Sequence, residues 1–258
     1  MNLKYLDYIK RFRLMDDDFM VQCFSNEPKS VEFVLSVLLE RDDIKVESVV
    51  TQHEIKNLEM HSVKLDVDAI DSNGKRYDIE IQRSDRGAIS QRARFNSAML
   101  DSTMLKSGAE YNELRDSYVI FITENDVLKK GKAIYHIERV IRETDEYFND
   151  GSHILYVNGS YKGEDPIGRL MHDFRCCDPN EMYSPVLKAR AEYFKSTEGG
   201  IQTMCRMMEE MRNEATAKAH ADMAVNMFAD GKLSKEDAIK YSGLDKNAFE
   251  ELLEKKSN

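Results

Sequence analysis

Residues 63–83 read V-K-L-D-V-D-A-I-D-S-N-G-K-R-Y-D-I-E-I-Q-R. Val63, Leu65, Val67 and Ala69 alternate with Lys64, Asp66 and Asp68, while Tyr77, Ile79 and Ile81 alternate with Asp78, Glu80 and Gln82. Period-two alternation on both sides of Ser72-Asn73-Gly74 predicts a β-hairpin. A two-residue Asn73-Gly74 turn would pair Asp66 with Ile81 and run the apolar face of one strand into the polar face of the other, so that register is disfavoured. A three-residue turn with Gly74 at positive φ pairs Lys64 with Gln82, Asp66 with Glu80 and Asp68 with Asp78. One face of the hairpin is then apolar throughout. The other carries four carboxylates, with Lys64 and, near the turn, Lys75 or Arg76 to offset them.

Like charges facing one another on a sheet are destabilising. Two readings answer this. Antiparallel sheets often keep one wet, screened face. Alternatively, a divalent cation is held there by hard oxygen ligands. Spacing alone leaves both open.

Around the hairpin, hydrophobic patterning predicts an α/β protein. A short helix starts near Asp16–Asp18, and Pro28 opens a core-facing helix carrying Val31, Val34, Leu35, Leu38 and Leu39. Glu32 lies off that apolar stripe. Residues 44–50 are strand-like and 51–61 form a polar connector. An amphipathic helix spans 89–105. Then Y-V-I-F-I-T at 118–123 is a nearly continuous apolar run, the mark of a strand buried on both faces. The helix between hairpin and strand predicts a crossover that lays this strand beside the second hairpin strand in a mixed sheet. Strand-like pieces follow at 133–141 and 154–158, and helices at 164–174 and 182–195. Gly199-Gly200 marks a boundary, giving domains 1–198 and 199–258. The second begins with a methionine-rich helical stripe that has no evident partner in the preceding chain, so a second subunit is the expected partner. It ends in a helix-turn-helix outline whose second helix is too acidic to suit DNA reading.

A chain of 258 residues that is 33% charged, with no apolar run near the roughly 20 residues a bilayer requires, predicts a protein without a membrane span. Its first residues contain no apolar signal segment. Cys23, Cys176, Cys177 and Cys205 fit neither a disulfide framework nor a zinc spacing, which points to a reducing, cytoplasmic setting. A net charge of −10 excludes coating nucleic acid by bulk electrostatics. The local balance differs: Arg83, Arg86, Arg92 and Arg94 face only Asp85, making a candidate phosphate-binding patch directly after the carboxylates.

At Asp66 and at D-I-E-I-Q (78–82) the sequence resembles the PD-(D/E)XK nuclease superfamily, most closely the branch of PD-(D/E)XK family transposases, or recombination-promoting nucleases. The likeness extends to D-D-D-F-M (16–20), K-L-D-V-D-A-I-D-S-N-G-K (64–75), Q-R-A-R-F (91–95), the 118–123 strand, Y-V-N (156–158) and D-G-K-L-S in the tail. The resemblance implies a restriction-endonuclease-like core, a mixed β-sheet flanked by helices, with a helical C-terminal extension. It implies Mg²⁺, or Mn²⁺, as cofactor and DNA as substrate. Asp66 and Glu80 would be the carboxylate ligands, and the main-chain carbonyl of Ile81 would complete the protein's share. Gln82 stands where many members carry the lysine that orients or activates water. Glu32 would match an acidic residue that some members add, and Gln91 a position that often faces the site. The competing expectation is a nuclease fold with weak or no catalysis that serves as an interaction module, favoured by the missing lysine and the acidic charge.

Overall fold

The computed structural model describes residues 3–56, 62–83 and 87–257. Two compact units divide between Thr197 and Glu198, and the residues through Asp7 group with the C-terminal unit.

The larger unit is a six-stranded mixed sheet flanked by helices, a restriction-endonuclease-like α/β fold. Strands β1 (Val46–Ile55), β2 (Val63–Asp71) and β3 (Arg76–Gln82) form an antiparallel meander. Helix α4 (Ser90–Met104) crosses over to β4 (Ser117–Thr123), which pairs parallel to β3 as predicted. Strand β8 (Ser152–Asn158) lies parallel to β4, and β5 (Ile134–Ile137) closes the order β1-β2-β3-β4-β8-β5. The piece expected at 133–141 is split. Its second half, β6 (Val140–Ile141), pairs with β7 (Glu146–Tyr147) in a separate two-stranded ribbon.

Helices α1 (Leu3–Arg11), α2 (Asp17–Phe24), α3 (Pro28–Leu39), α5 (Pro166–Arg175) and α6 (Pro185–Ser196) precede or follow the sheet elements. Of these, α2 and α3 pack against the meander, and α3 also meets α5 and α6. Three of these helices begin on proline, whose fixed φ suits the first turn and whose missing N–H would have had no partner there. On the other side α4 covers β4 and β8.

The hairpin register is the one that hydrophobic alternation selects. Asp68 pairs with Asp78 and Val67 with Ile79, and beyond them the Asp66 carboxylate meets the Ile81 amide. Gly74 takes φ +76° and donates to the carbonyl of Asp71 at 2.9 Å. The Asp71 carboxylate organises the turn, accepting from the amides of Asn73 (2.9 Å) and Lys75 (3.0 Å) and from the Tyr77 hydroxyl (2.9 Å) while buried itself. Asp71→Ala strands three donors at once and is expected to lower stability by about 2–3 kcal/mol in chemical denaturation. A loss under about 0.5 kcal/mol would show that the turn does not depend on this carboxylate.

Two expectations are corrected. Residues through Ile55 are strand rather than connector, because Thr51–Ile55 pairs with Val63–Val67 at the sheet edge, where half-exposed polar side chains are tolerated. The remainder of that stretch, 57–61, lies outside the described residues. The single apolar face is also not kept to the start of β2. Val63 and Leu65 join the cluster under α4 with Ala93, Met99, Leu100, Phe121 and Tyr156. The change falls where Gln52, opposite Asp66 in the β1 register, takes φ +55°.

In the other unit, α7 (Glu198–Ala229) includes Gly199 and Gly200 in its first turn, so the helix begins at the expected boundary and not after it. The C-terminal part of α7 packs with α8 (Lys235–Ser242) and α9 (Lys246–Ser257) around Ala224, Val225, Ala238 and Phe249. Ser234 caps α8 by accepting from Asp237, and Gly243 makes the turn at φ +70°. Among the described residues no helix is long and apolar enough to cross a membrane, and all four cysteines are free, with Cys177 exposed and Cys176 buried.

Candidate active site

Strand β3 lies between β2 and β4, so a carboxylate on it is shut away from water unless the helix above leaves an opening. The face carrying Asp68, Asp78 and Glu80 is not the wet face that alternation permits. Asp78 and Glu80 are fully buried and Asp68 nearly so, with Arg92 and Asn96 of α4 reaching the first two and Arg76, bonded to Thr103 of α4, closing over the third. Asp66, nearer the open end, is half-buried.

Two side chains of α4, one turn apart and therefore on one helix face, reach down to this row. Arg92 forms an ion pair with Glu80 Oε2, and its guanidinium sits 5.8 Å over the Phe121 ring. Asn96 donates to Asp78 Oδ2 at 3.0 Å and to Glu80 Oε1 at 3.5 Å. Gln82, two residues along β3, donates from Nε2 to Glu80 Oε2 at 3.4 Å. Its amide lies against Gly87, where a Cβ would come within 1.8 Å of Gln82 Oε1, so a side chain at position 87 would displace it. Asp66 accepts from the Ile81 amide at 3.0 Å and from Gln52 Nε2 at 3.4 Å. That first contact gives a side chain the place of a ladder carbonyl.

One acid of the row, Asp68, is neutralised within the protein. Arg76, itself buried, grips Asp68 with Nε at 2.7 Å and Nη2 at 2.6 Å, and His53 Nδ1 lies 2.5 Å from the same carboxylate. Asp78 is different. Its Oδ1 is buried and without a hydrogen-bond partner. Burial first, then the charge of Glu80, push Asp78 well above the usual carboxylate range, against the pull of Asn96. Burial and then the charge of Asp66 push Glu80 up to about 7, with Arg92 opposing. Asp66 is raised as well, chiefly by burial, with the Ile81 amide opposing.

This predicts a sign for pH dependence. Unfolded, Glu80 releases its proton near its ordinary 4.5; folded, it does so at about 7. Across that window the folded protein holds more protons, so its stability falls as pH rises and levels off above it. Melting temperature in EDTA is expected to drop between about pH 5 and pH 7, and a rise over that range would contradict the charge repulsion in this row.

The donor set suits a hard cation. It offers two carboxylates, Asp66 and Glu80, close enough that Asp66 raises the proton affinity of Glu80, with an orphaned oxygen of Asp78 beside them. Among the described residues no three His, Cys, Asp or Glu side chains form a ready-made metal cluster. Mg²⁺ asks for only one or two protein carboxylates and keeps its waters.

The structure thus brings Asp66, Ile81, Glu80, Gln82 and Arg92 together, while Glu32 and Arg83 make their contacts elsewhere. Glu32 accepts from the Val46 amide at 2.9 Å, at the turn end of the meander where Val46 pairs with Asp71. Arg83 pairs with Asp16 at 3.2 Å and lies 3.7 Å from Glu124. Gln91 and Arg94 are exposed on α4 and line the groove beside it. Arg86 lies outside the described residues. Sequence reasoning missed Asn96, although its i, i+4 spacing from Arg92 was a usable signal, and it missed the role of Arg76 in silencing Asp68.

A mixed sheet with an antiparallel hairpin, a crossover helix and an acidic pair on the central strands defines a nuclease of the restriction-endonuclease-like class. The chain belongs to the PD-(D/E)XK nuclease family transposases: that family model matches residues 24–160, more than half of its length. No curated protein and no solved structure matches the chain.

Proposed function

We propose that this protein is a metal-dependent DNA endonuclease that hydrolyses phosphodiester bonds, E-x-Q in its motif, working in mobile-element recombination in the cytoplasm. The observation that carries the reading is the acidic pair of half-buried Asp66, held on the Ile81 amide, and buried Glu80, whose proton affinity Asp66 raises, with Gln82 bonded to the same Glu80. Family membership supports the nuclease class.

Asp66 and Glu80 would hold Mg²⁺, or Mn²⁺, together with the main-chain carbonyl of Ile81. A cation bound there would lower the pKa of a water and offset the charge that builds on the attacked phosphate. Gln82 would position the water through its amide, which can orient but not supply charge. Arg92 supplies that charge from α4, neutralising Glu80 and lying within reach of a phosphate brought to the rim. Arg83, Arg86 and Arg94 would guide the DNA backbone. We assign catalysis to residues 1–198. The helical extension 199–258 serves partner contacts, including a homodimer through α7, where Met211 and Met223 are exposed.

The test is plasmid nicking by the full chain with Mg²⁺ or Mn²⁺ against EDTA. Cleavage only with metal supports the reading. No cleavage of any DNA form with either metal would favour the interaction-module alternative, for which the internal Arg92–Glu80 pair is the specific observation.

A further inference from the structure

We propose that the groove beside Glu80, between the start of β2 and the first turns of α4, receives an unpaired single strand of DNA. This rests on the nuclease reading and names the substrate class of the same site. The groove encloses about 710 Å³ and is lined by Lys64, Arg92, Arg94, Ile89, Gln91 and Phe95, among others. No carboxylate lines it among the described residues. On a chain of net charge −10, Lys64 and Arg94, with Arg92 behind them already paired to Glu80, make a local inversion of sign that fits a polyanion.

The apolar part of the lining decides which polyanion. Ile89 is 50% exposed and Phe95 36% exposed. A duplex turns its phosphates and sugars outward and keeps base faces in its stack, so it would set these apolar walls against charge. A single strand offers both chemistries together, a phosphate chain for Lys64 and Arg94 and base faces for Phe95 and Ile89. Arg92 and Asn96 line the same groove and touch Glu80, so a strand lying in it leads to the carboxylates. The apolar walls favour DNA over RNA, whose added 2′-hydroxyls would need polar partners.

The test is fluorescence anisotropy of the full chain in EDTA, with a labelled oligothymidylate of about a dozen nucleotides, a blunt duplex of the same length and the matching oligouridylate. The single DNA strand is expected to bind roughly tenfold tighter than the duplex. Phe95→Ala should lose roughly tenfold on the single strand and little on the duplex, with Phe95→Tyr restoring the wild-type preference because it keeps the stacking face. Lys64→Ala should shrink the salt dependence by about one phosphate contact. Tyr111→Ala, an exposed aromatic outside the groove, serves as control. Equal affinity for duplex and single strand, equal loss on both with Phe95→Ala, or tighter binding of oligouridylate overturns the proposal. Because binding is read without metal, a single-strand preference in a protein that cleaves nothing supports the groove and removes only the nuclease reading. Cleavage without that preference removes the groove alone.

Discussion

Glu80→Gln is expected to reduce metal-dependent plasmid nicking by more than about a hundredfold, since even outer partners of metal ligands are worth 10- to 100-fold. Asp66→Ala should do the same. The glutamine variant is the sharper one because it separates catalysis from folding. It keeps the side-chain volume and removes a buried charge that desolvation and Asp66 disfavour. The metal-free protein should therefore melt no lower than wild type above neutral pH, and the rise in melting temperature that saturating Mg²⁺ gives the wild type should vanish. Nicking within a few-fold of wild type in both variants would remove Asp66 and Glu80 from the site.

Arg76→Ala should be the most destabilising single change in the larger unit, at about 3–5 kcal/mol, because it leaves the buried Asp68 without its main counter-charge. Arg76 and Asp68 are 6% and 4% exposed, joined by two hydrogen bonds, and Arg76 also bonds the Thr103 hydroxyl of α4. Losing the guanidinium thus unfastens α4 from the hairpin as well. His53 stays as a lesser partner of Asp68. Pairing Arg76→Met with Asp68→Asn removes both charges and should recover most of the loss, which denaturation of the two single variants and the double would show. A single-variant loss under about 1 kcal/mol would mean that water reaches Asp68 in solution.

The hairpin register was legible because side-chain parity is a strong constraint. One slip would have turned Val67, Ala69, Tyr77 and Ile79, all of which are buried, away from their apolar neighbours and put carboxylates in their place. The crossover and the central strand were legible for a similar reason, since only a doubly covered strand tolerates Tyr118–Thr123. What covers the acidic row was not legible. Alternation separates apolar from polar faces but does not say that a polar face will be roofed by a helix offering Arg92 and Asn96. The strand at 51–55 escaped notice because an edge strand needs little hydrophobicity, and Gly199-Gly200 resembled a break because two glycines suit the first turn of a helix as readily as a linker. Glu32 carried the right chemistry at the wrong end of the meander, a distance that sequence does not display.

The contact of Gln82 with Gly87 has a consequence for how this motif can vary. A lysine at position 82 would bring a second cation to the Glu80 rim already occupied by Arg92, and its longer chain would press on the glycine turn. The cation beside Glu80 is here mounted on the neighbouring helix. Strand and helix are therefore coupled through Glu80: a lysine at residue 82 alone would change the local charge count, whereas exchanging residues 82 and 92 together would preserve it.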